Sequence, residues 1–364
     1  MRPDQIQPEL YEQQLDEKVD ALKALMAEFS MPELNVYKSA ETHYRMRAEF
    51  RVWHDGDDMY YAMFDSKDPR TPIRVDQFPV ASKLINELMP ALLEAVRHVP
   101  ILRHKLFQVD FLTTQTGEAL ISLLYHKPID DEWEDAAKEL NKSFPACHFI
   151  GRSRKKKKVL TRDFVMETLT VNGQKYHYQQ VENSFTQPNA GISEKMLEWA
   201  MDVTQGCSGD LLEMYCGNGN FSIPLARRFD QVIGTEIAKV SVNSASLNIA
   251  MNGMKNVQVV KMASEDVSAA LNGEGELPKA LVQAGMANLS PSVVLVDPPR
   301  AGLDDATVEL VRKVDKILYI SCNPETLKNN MQALSSTHDV TRFALFDQFP
   351  YTHHVEAGVF LERR

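Results

Sequence analysis

The chain has 364 residues, 44% of them apolar and 25% charged, which is enough for two domains of ordinary size with real cores. Its formal net charge of −10 excludes indiscriminate binding of polyanions but leaves room for a local basic patch. No apolar run approaches a membrane span and the opening residues lack the apolar stretch of a leader, so a soluble, cytoplasmic protein is expected.

In chain order, Leu15, Val19, Leu22, Met26 and Phe29 recur at helical spacing within Glu9–Phe29, and Pro32 stops the helix. Tyr44–Phe64 reads as two strands around a turn at His54–Asp58, with Gly56 supplying the bend. Arg45, Arg47 and Arg51 are expected together on one sheet face. A helix over Ala81–Val96 is followed by strands at Lys105–Leu112 and Ala119–Tyr125, a helix at Asp130–Leu140 and a short strand at Cys147–Gly151. Gly151–Arg162 then carries Arg152, Arg154, Lys155, Lys156, Lys157, Lys158 and Arg162 without one acid. It is either a solvated hairpin or a phosphate-facing patch. Residues 1–180 are therefore α+β, with no evident βαβ rhythm.

From residue 181 the rhythm changes. Asn189 caps a helix with Ile192, Met196, Trp199, Ala200 and Val203 on one side. Strands follow at Asp210–Met214, Gln231–Thr235, Val257–Lys261, Ser292–Val296 and Lys316–Ile320, alternating with helices, then a terminal pair at Thr341–Phe346 and Ala357–Leu361. Residues 181–364 thus form an α/β domain around a mostly parallel sheet, with a surface insertion between Ala269 and Asn288.

The first strand of that domain runs into Tyr215-Cys216-Gly217-Asn218-Gly219-Asn220 and a helix at Phe221–Arg228. Gly217 and Gly219 allow a sharp turn and close approach of a ligand, but Ser222 stands where a dinucleotide fingerprint has its third glycine. Glu236 ends the second strand, Glu213 lies near the end of the first, and Ser264-Glu265-Asp266 follows the third. Carboxylates without a phosphate-binding cation suit a nucleoside cofactor with a cationic centre better than a pyrophosphate; a purely structural turn is the other reading. Cys216 reads as a small buried hydrophobe.

Asp297-Pro298-Pro299-Arg300 leaves the fourth strand as a rigid, extended floor for a flat ring. Cys322 follows the fifth strand at the same sheet edge, where a lone cysteine is either inert core or a nucleophile. Phe346–Glu356, between the terminal strands, is crowded with aromatic, imidazole and carboxylate groups, with Glu356 placed as a base just before the final strand. The remaining cysteines, 147, 207 and 216, have no metal-type pairing with Cys322 or one another, and no disulfide framework or metal is expected.

In Asp297-Pro298-Pro299-Arg300, Ser321-Cys322-Asn323-Pro324 and Tyr351-Thr352-His353-His354-Val355-Glu356, following the glycine turn, the chain resembles the RNA 5-methyluridine methyltransferase family. Phe50-Arg51-Val52-Trp53, Lys105-Leu106-Phe107-Gln108 and Glu182–Asn189 extend the resemblance over nearly the whole length, closest to the branch acting on uridine 54 of the tRNA T-loop. The resemblance implies a Rossmann-like S-adenosylmethionine-dependent methyltransferase domain with an N-terminal α+β RNA-binding region. It makes Cys322 the nucleophile and Glu356 the base. It assigns Gln187, Tyr215, Gly217, Asn220, Glu236 and Asp297 to the methyl donor, and Phe107, Gln187, Arg300 and Arg51 to the RNA. The expected partner is tRNA or tRNA-like folded RNA, without an obligate protein partner. A ribosomal-RNA uridine methyltransferase, an enzyme methylating an exocyclic amine, and a non-catalytic RNA-binding or RNA-folding protein are the alternatives.

Overall fold

The computed structural model of the chain describes residues 6–65, 68–273 and 276–364. The N-terminal stripe forms helix α1 (Tyr11–Leu25), which buries Tyr11, Leu15, Leu22 and, unexpectedly for a charged residue, Lys18. Strand β1 (Leu34–Tyr37) follows and joins the C-terminal sheet.

The expected hairpin is β2 (Arg47–Asp55) and β3 (Asp58–Asp65), turning at Gly56 with φ +56°, and β4 (Asp68–Arg74) adds an edge that the sequence did not announce. Helix α2 (Lys83–Arg97) starts at Ser82, whose Oγ accepts from Ile85 N at 3.2 Å, and a short turn, α3 (Pro100–Arg103), follows. Next come β5 (Leu106–Thr113), β6 (Ala119–Tyr125), α4 (Asp131–Lys142), β7 (Cys147–Ser153) and β8 (Lys156–Val159). The sheet order is β4-β3-β2-β5-β6-β7-β8. Because β7 lies parallel to β6, α4 is the crossover of a βαβ unit, contrary to the expectation of none in this half.

Arg45 precedes β2 instead of lying on it, and its backbone bridges Ala81 and Asn189. Arg47 and Arg51 do share a face, with Glu49 between them. The basic run forms the β7–β8 edge hairpin. There Lys157 pairs with Asp163 and Glu182, and Lys158 with Asp131 and Glu134. Arg152 pairs with Glu182 and Arg162 with Glu118. Half of the patch is thus neutralised from within.

Two further strands, β9 (Phe164–Val171) and β10 (Gln174–Val181), form a hairpin turning at Asn172 and Gly173, with φ +49° and +79°. Its inward row is Val165, Glu167, Leu169 and Val171. Glu167 breaks the apolar alternation yet is fully buried, because its carboxylate accepts from Gln115 N (3.1 and 3.2 Å) and Thr168 N (2.9 Å).

The C-terminal part runs α5 (Ala190–Val203), β11 (Asp210–Met214), α6 (Ser222–Leu225), β12 (Gln231–Glu236), α7 (Lys239–Met251), β13 (Val257–Lys261), α8 (Ser264–Asn272), α9 (Lys279–Gln283), β14 (Pro291–Val296), α10 (Asp305–Val311), β15 (Lys316–Ser321), α11 (Pro324–Leu334), β16 (His338–Phe346) and β17 (Glu356–Arg363). The sheet order is β1-β16-β17-β15-β14-β11-β12-β13, parallel except that β17 runs against both of its neighbours. Alternate residues of one strand enter different cores: Leu212, Val294 and Ile317 pack in one cluster, Leu211, Val293 and Leu318 in another. Both faces are therefore buried, as a parallel sheet requires. Asn189 caps α5 as expected, accepting from Ile192 N at 3.1 Å.

Helix α6 is only one turn, not Phe221–Arg228, because Arg228 N closes back on Leu225 O. The expected surface insertion is partly internal: α9 and the turn after it bury Leu281 and Met286, while Gly275 lies outside the described residues. No helix among the described residues is long and apolar enough to cross a membrane.

Gly151, which opens the basic hairpin, is fixed by packing. A Cβ there would lie 2.2 Å from the Trp133 ring of α4, which covers β7. Gly151→Ala is expected to destabilise the protein by about 1–3 kcal/mol through overpacking. Urea denaturation checks this, and an unchanged midpoint would mean that α4 does not sit tightly on this strand.

Candidate active site

Two reversals of chain direction bring the chemical residues together. In β15 and β17 the antiparallel register ends at Ser321 opposite Ala357, so the next position along sets Cys322 opposite Glu356. Glu356 is the first residue of β17, opposite Phe346 of β16, and is 4% exposed. Asp297 leaves the end of β14, the other neighbour of β15. The loops around them are tied down. Asn323 caps α11 through Glu325 N, and its Nδ2 donates to Arg300 O at 2.9 Å. Thr326 Oγ1 donates to the same carbonyl at 3.3 Å.

The glycine turn sits at the same edge. Met214 pairs with Thr235 on one side and Val296 on the other, so Tyr215, Glu236 and Asp297 leave three adjacent strands at one level. Tyr215, Gly217 and Gly219 all have positive φ (62°, 56° and 83°), which curls the backbone around the space above. Glu236 braces the curl, accepting from Gly217 N at 3.1 Å and Ala238 N at 2.7 Å. Glu213 is fully buried beneath it and accepts from Ser222 Oγ, so one of its oxygens holds the turn. Cys216 is buried against Gly234, where a Cβ would come within 2.9 Å of its sulfur.

Two cavities meet at the nucleophile. One, of about 1170 Å³, is lined by Gln187, Tyr215, Gly217, Asn220, Glu236, Asp297, Arg300, Cys322 and Glu356, all singled out in the sequence. Ser264 and Glu265 line it too; Asp266 does not. The second, of about 1450 Å³, lies between α1, β2 and the 347–355 loop. The two share Arg300, Cys322, Phe349 and His354. Cys322 therefore faces a donor-type cavity on one side and an open cleft on the other.

Burial sets the electrostatics. It raises Asp297 to about 7 and, together with the Asp297 charge, lifts Glu356 well above the carboxylate range. Burial also pushes the Cys322 thiol up to about 11; Glu356 and Asp297 add to the rise and Arg300 opposes it. Packing and two neighbouring acids thus favour the protonated thiol. Glu213 rises to about 8, chiefly through burial. Of the cations lining this cavity, Arg152 and Lys157 are both engaged by Glu182, and Arg300 lies at its junction with the second cavity, beside Cys322. A cavity lined by Glu213, Glu236, Glu265 and Asp297 suits a ligand with hydroxyl groups and a cationic centre, as S-adenosylmethionine has. Among the described residues no group of three or more His, Cys, Asp or Glu is arranged to hold a metal ion.

Phe107 and Arg51 line neither cavity. Between Leu106 and Gln108 the β5–β6 register shifts, leaving Phe107 as the extra residue of a bulge. Its ring stacks on His126 (centroids 3.7 Å apart, planes 11° apart), and the Arg51 guanidinium lies 5.4 Å from its centroid. His126 was missed, since nothing in the sequence marks a bulge partner. Phe349 and His354 were noted only as loop residues, and their place at the junction of the cavities needed the structure.

The family model described as tRNA (Uracil-5-)-methyltransferase matches residues 10–364. A relative from Marinomonas sp. (strain MWYL1), a tRNA/tmRNA (uracil-C(5))-methyltransferase, is 79% identical over 364 residues, 100% of both chains. A protein of the same description from Vibrio atlanticus (strain LGP32) is 56% identical over 366 residues, covering 99% of each. Among solved structures, the Pyrococcus abyssi tRNA (uracil-54, C5)-methyltransferase in complex with S-adenosyl-L-homocysteine shares the fold, with a TM-score of 0.73 at 21% identity over 96% of this chain and 83% of that one.

The buried acids make stability depend on pH. A carboxyl with a higher pKa folded than unfolded binds more protons in the folded state between the two values, so its contribution is full at low pH and lost as pH rises. For Asp297 that window runs from 3.8 to about 7. Asp297→Asn is expected to lose less stability than wild type between about pH 4 and pH 8, because it removes one of the groups that favour the folded state only while protonated. Chemical denaturation across this range is the check, and equal slopes in both proteins would show that Asp297 does not titrate this way.

Proposed function

The chain belongs to the tRNA (uracil-5-)-methyltransferase family, and from that premise we propose that it methylates C5 of uridine 54 in the tRNA T-loop through a covalent bond from Cys322 to C6. The coarser activity, S-adenosylmethionine-dependent methylation of uracil C5 in tRNA, follows from the family itself. The observation that carries the finer reading is the register that sets Cys322 opposite Glu356, beside Asp297, where the two cavities meet. Residues 1–180 hold RNA and residues 181–364 carry the chemistry in this reading, with β1 the exception that crosses over. Action in the cytoplasm and on tRNA-like folded RNA are parts of the same reading; the relatives are named for both tRNA and tmRNA.

C5 of uracil is a poor nucleophile until a sulfur adds at C6. Cys322 gives its proton to solvent through the open cleft, and its sulfur bonds to C6 while the C5–C6 electrons move toward the O4 carbonyl. Arg300, at the junction, is placed to stabilise that charge. Bound S-adenosylmethionine supplies the methyl group accepted by C5 and a positive charge beside these acids. Glu356 then takes the C5 proton, the C5–H electrons restore the C5–C6 double bond, and the C6–S bond breaks to release Cys322. Glu356 must be ionised to take this proton, which the donor's positive charge beside it favours; once ionised, its raised pKa makes it the stronger base. Charge at Cys322 costs most in the free enzyme, so ionisation is tied to filling of the two cavities.

The target base must leave the loop to reach this floor. The Phe107–His126 stack with Arg51 offers a flat, cationic platform for an unstacked base.

Cys322→Ala is expected to reduce methylation to below about a thousandth of wild type and to abolish any covalent protein–RNA species. Glu356→Gln is expected to accumulate a denaturation-resistant complex carrying both the RNA and the transferred methyl group. Incubation of unmodified tRNA with labelled donor, gel separation and peptide mapping read both. Turnover by Cys322→Ala, or RNA mapped to Cys216, would overturn the mechanism in favour of exocyclic-amine chemistry or another nucleophile. Label recovered from ribosomal RNA and not from tRNA would overturn the substrate.

The edge hairpin divides into two groups. Lys157 and Lys158 are engaged by acids, whereas Arg154, Lys155 and Lys156 form no ion pair among the described residues. Replacing the latter three by alanine is expected to reduce the salt slope of tRNA binding by about 2–3, and replacing Lys157 and Lys158 to reduce it by less than about 1. Filter binding across a salt series separates them, and equal effects would mean that the internal pairs open on binding.

A further inference from the structure

We infer that Lys18 and Asp347 form an internal clamp that sets the path of the 347–355 loop into Glu356, making both positioning residues for proton removal at C5. The inference rests on the proposed role of Glu356. Lys18 Nζ, on α1, donates to Asp347 Oδ1 at 2.6 Å and to Phe349 O at 2.9 Å, and the two side chains are 7% and 1% exposed. From Phe349 O the bonds run on: Thr352 Oγ1 donates to that same carbonyl at 2.7 Å and accepts from His354 N at 3.2 Å. His354 lines both cavities and stands two residues before Glu356. A continuous chain of hydrogen bonds thus leads from a helix at the start of the sequence to the edge of the site.

The loop is held from the same side elsewhere. Asp347 N donates to Tyr37 O at 3.0 Å, Tyr44 Oη to Pro350 O at 3.2 Å and Tyr351 Oη to Glu41 O at 2.8 Å. These contacts already join the layers, so cohesion alone does not call for a buried ammonium and carboxylate. Such a pair recovers its desolvation cost only with good geometry, and an apolar pair of similar size commonly holds a fold as well. What the ions add is direction, because charge-assisted bonds to one carboxylate oxygen and one carbonyl fix where the turn begins.

The test compares Lys18→Met, the double variant Lys18→Met/Asp347→Leu, and Glu356→Gln. The double variant removes the unpaired carboxylate left by the single one, so it keeps the experiment informative if Lys18→Met alone folds poorly. The double variant is expected to melt within a few degrees of wild type, with kcat lower by roughly ten- to a hundredfold. Its KM for tRNA and for donor should stay within about twofold of wild type, and methylated covalent complex should accumulate during turnover. Wild-type kcat in the double variant overturns the clamp, as does a lower kcat without adduct when Glu356→Gln accumulates it. Absence of adduct in Glu356→Gln overturns the role of Glu356 instead. In that case the clamp, which acts through Glu356, falls with it.

Discussion

The reversal of the chain between β16 and β17 is the constraint on which the site depends. Five parallel strands deliver their carboxyl ends to one edge, and that arrangement alone offers loops but no opposing wall. Because β17 enters the sheet in the opposite sense, its first residue arrives at the same edge from outside. Glu356 thereby arrives opposite the residue after Ser321 through strand pairing, with the 347–355 loop leading into it. Strand register is fixed wherever both faces are buried, since a one-residue slip would exchange the two cores. The distance between nucleophile and base is therefore set by the hydrophobic packing of Leu318, Ile320, Val359 and Leu361.

The same packing creates an electrostatic tension. Asp297, Glu356 and Cys322 each take on negative charge more reluctantly because they are buried, and for Glu356 and Cys322 also because neighbouring acids stand close. Without a ligand, a site built this way favours the protonated form of all three groups. The groove on the α1 side and the cavity at the glycine turn share Arg300, Cys322, Phe349 and His354, so the surroundings of the thiol belong to both.

Much of this was legible in the sequence, for reasons that can be named. The parallel strands are continuous apolar runs with abrupt polar ends, and β11, β13 and β6 begin and end where their residues change character. Asn189 is a cap visible as a polar residue before a helical stripe, whereas Asp130, read as the first helical residue, caps α4 from outside it. The β9–β10 hairpin was missed although Asn172-Gly173 marks its turn, because Glu167 occupies an inward position. Only the tertiary structure reveals the two backbone N–H groups that make its burial tolerable. Within the site, residues on strand ends were readable from periodicity plus family resemblance. Phe107 needed a bulge and His126 a neighbouring strand, and neither leaves a trace in local spacing. The lysines of the edge hairpin looked uniform in the sequence, yet their acidic partners lie up to 27 residues away and divide them.

Strand β1 gives the molecule a history as well as a shape. It pairs with β16, about three hundred positions further along, and lies at the outer edge of the sheet whose other strands are made long after it. During synthesis on the ribosome, Leu34–Tyr37 waits beside a growing polypeptide until almost the whole chain has emerged. Such non-local pairing is slow to find and rewards only the finished product. Cys322 and Glu356 are translated last, and the strand that closes their sheet is among the first. A nascent chain can thus pair its β2–β8 sheet early, yet it brings Cys322 and Glu356 together in a single late step, so that partial translation products lack the completed site.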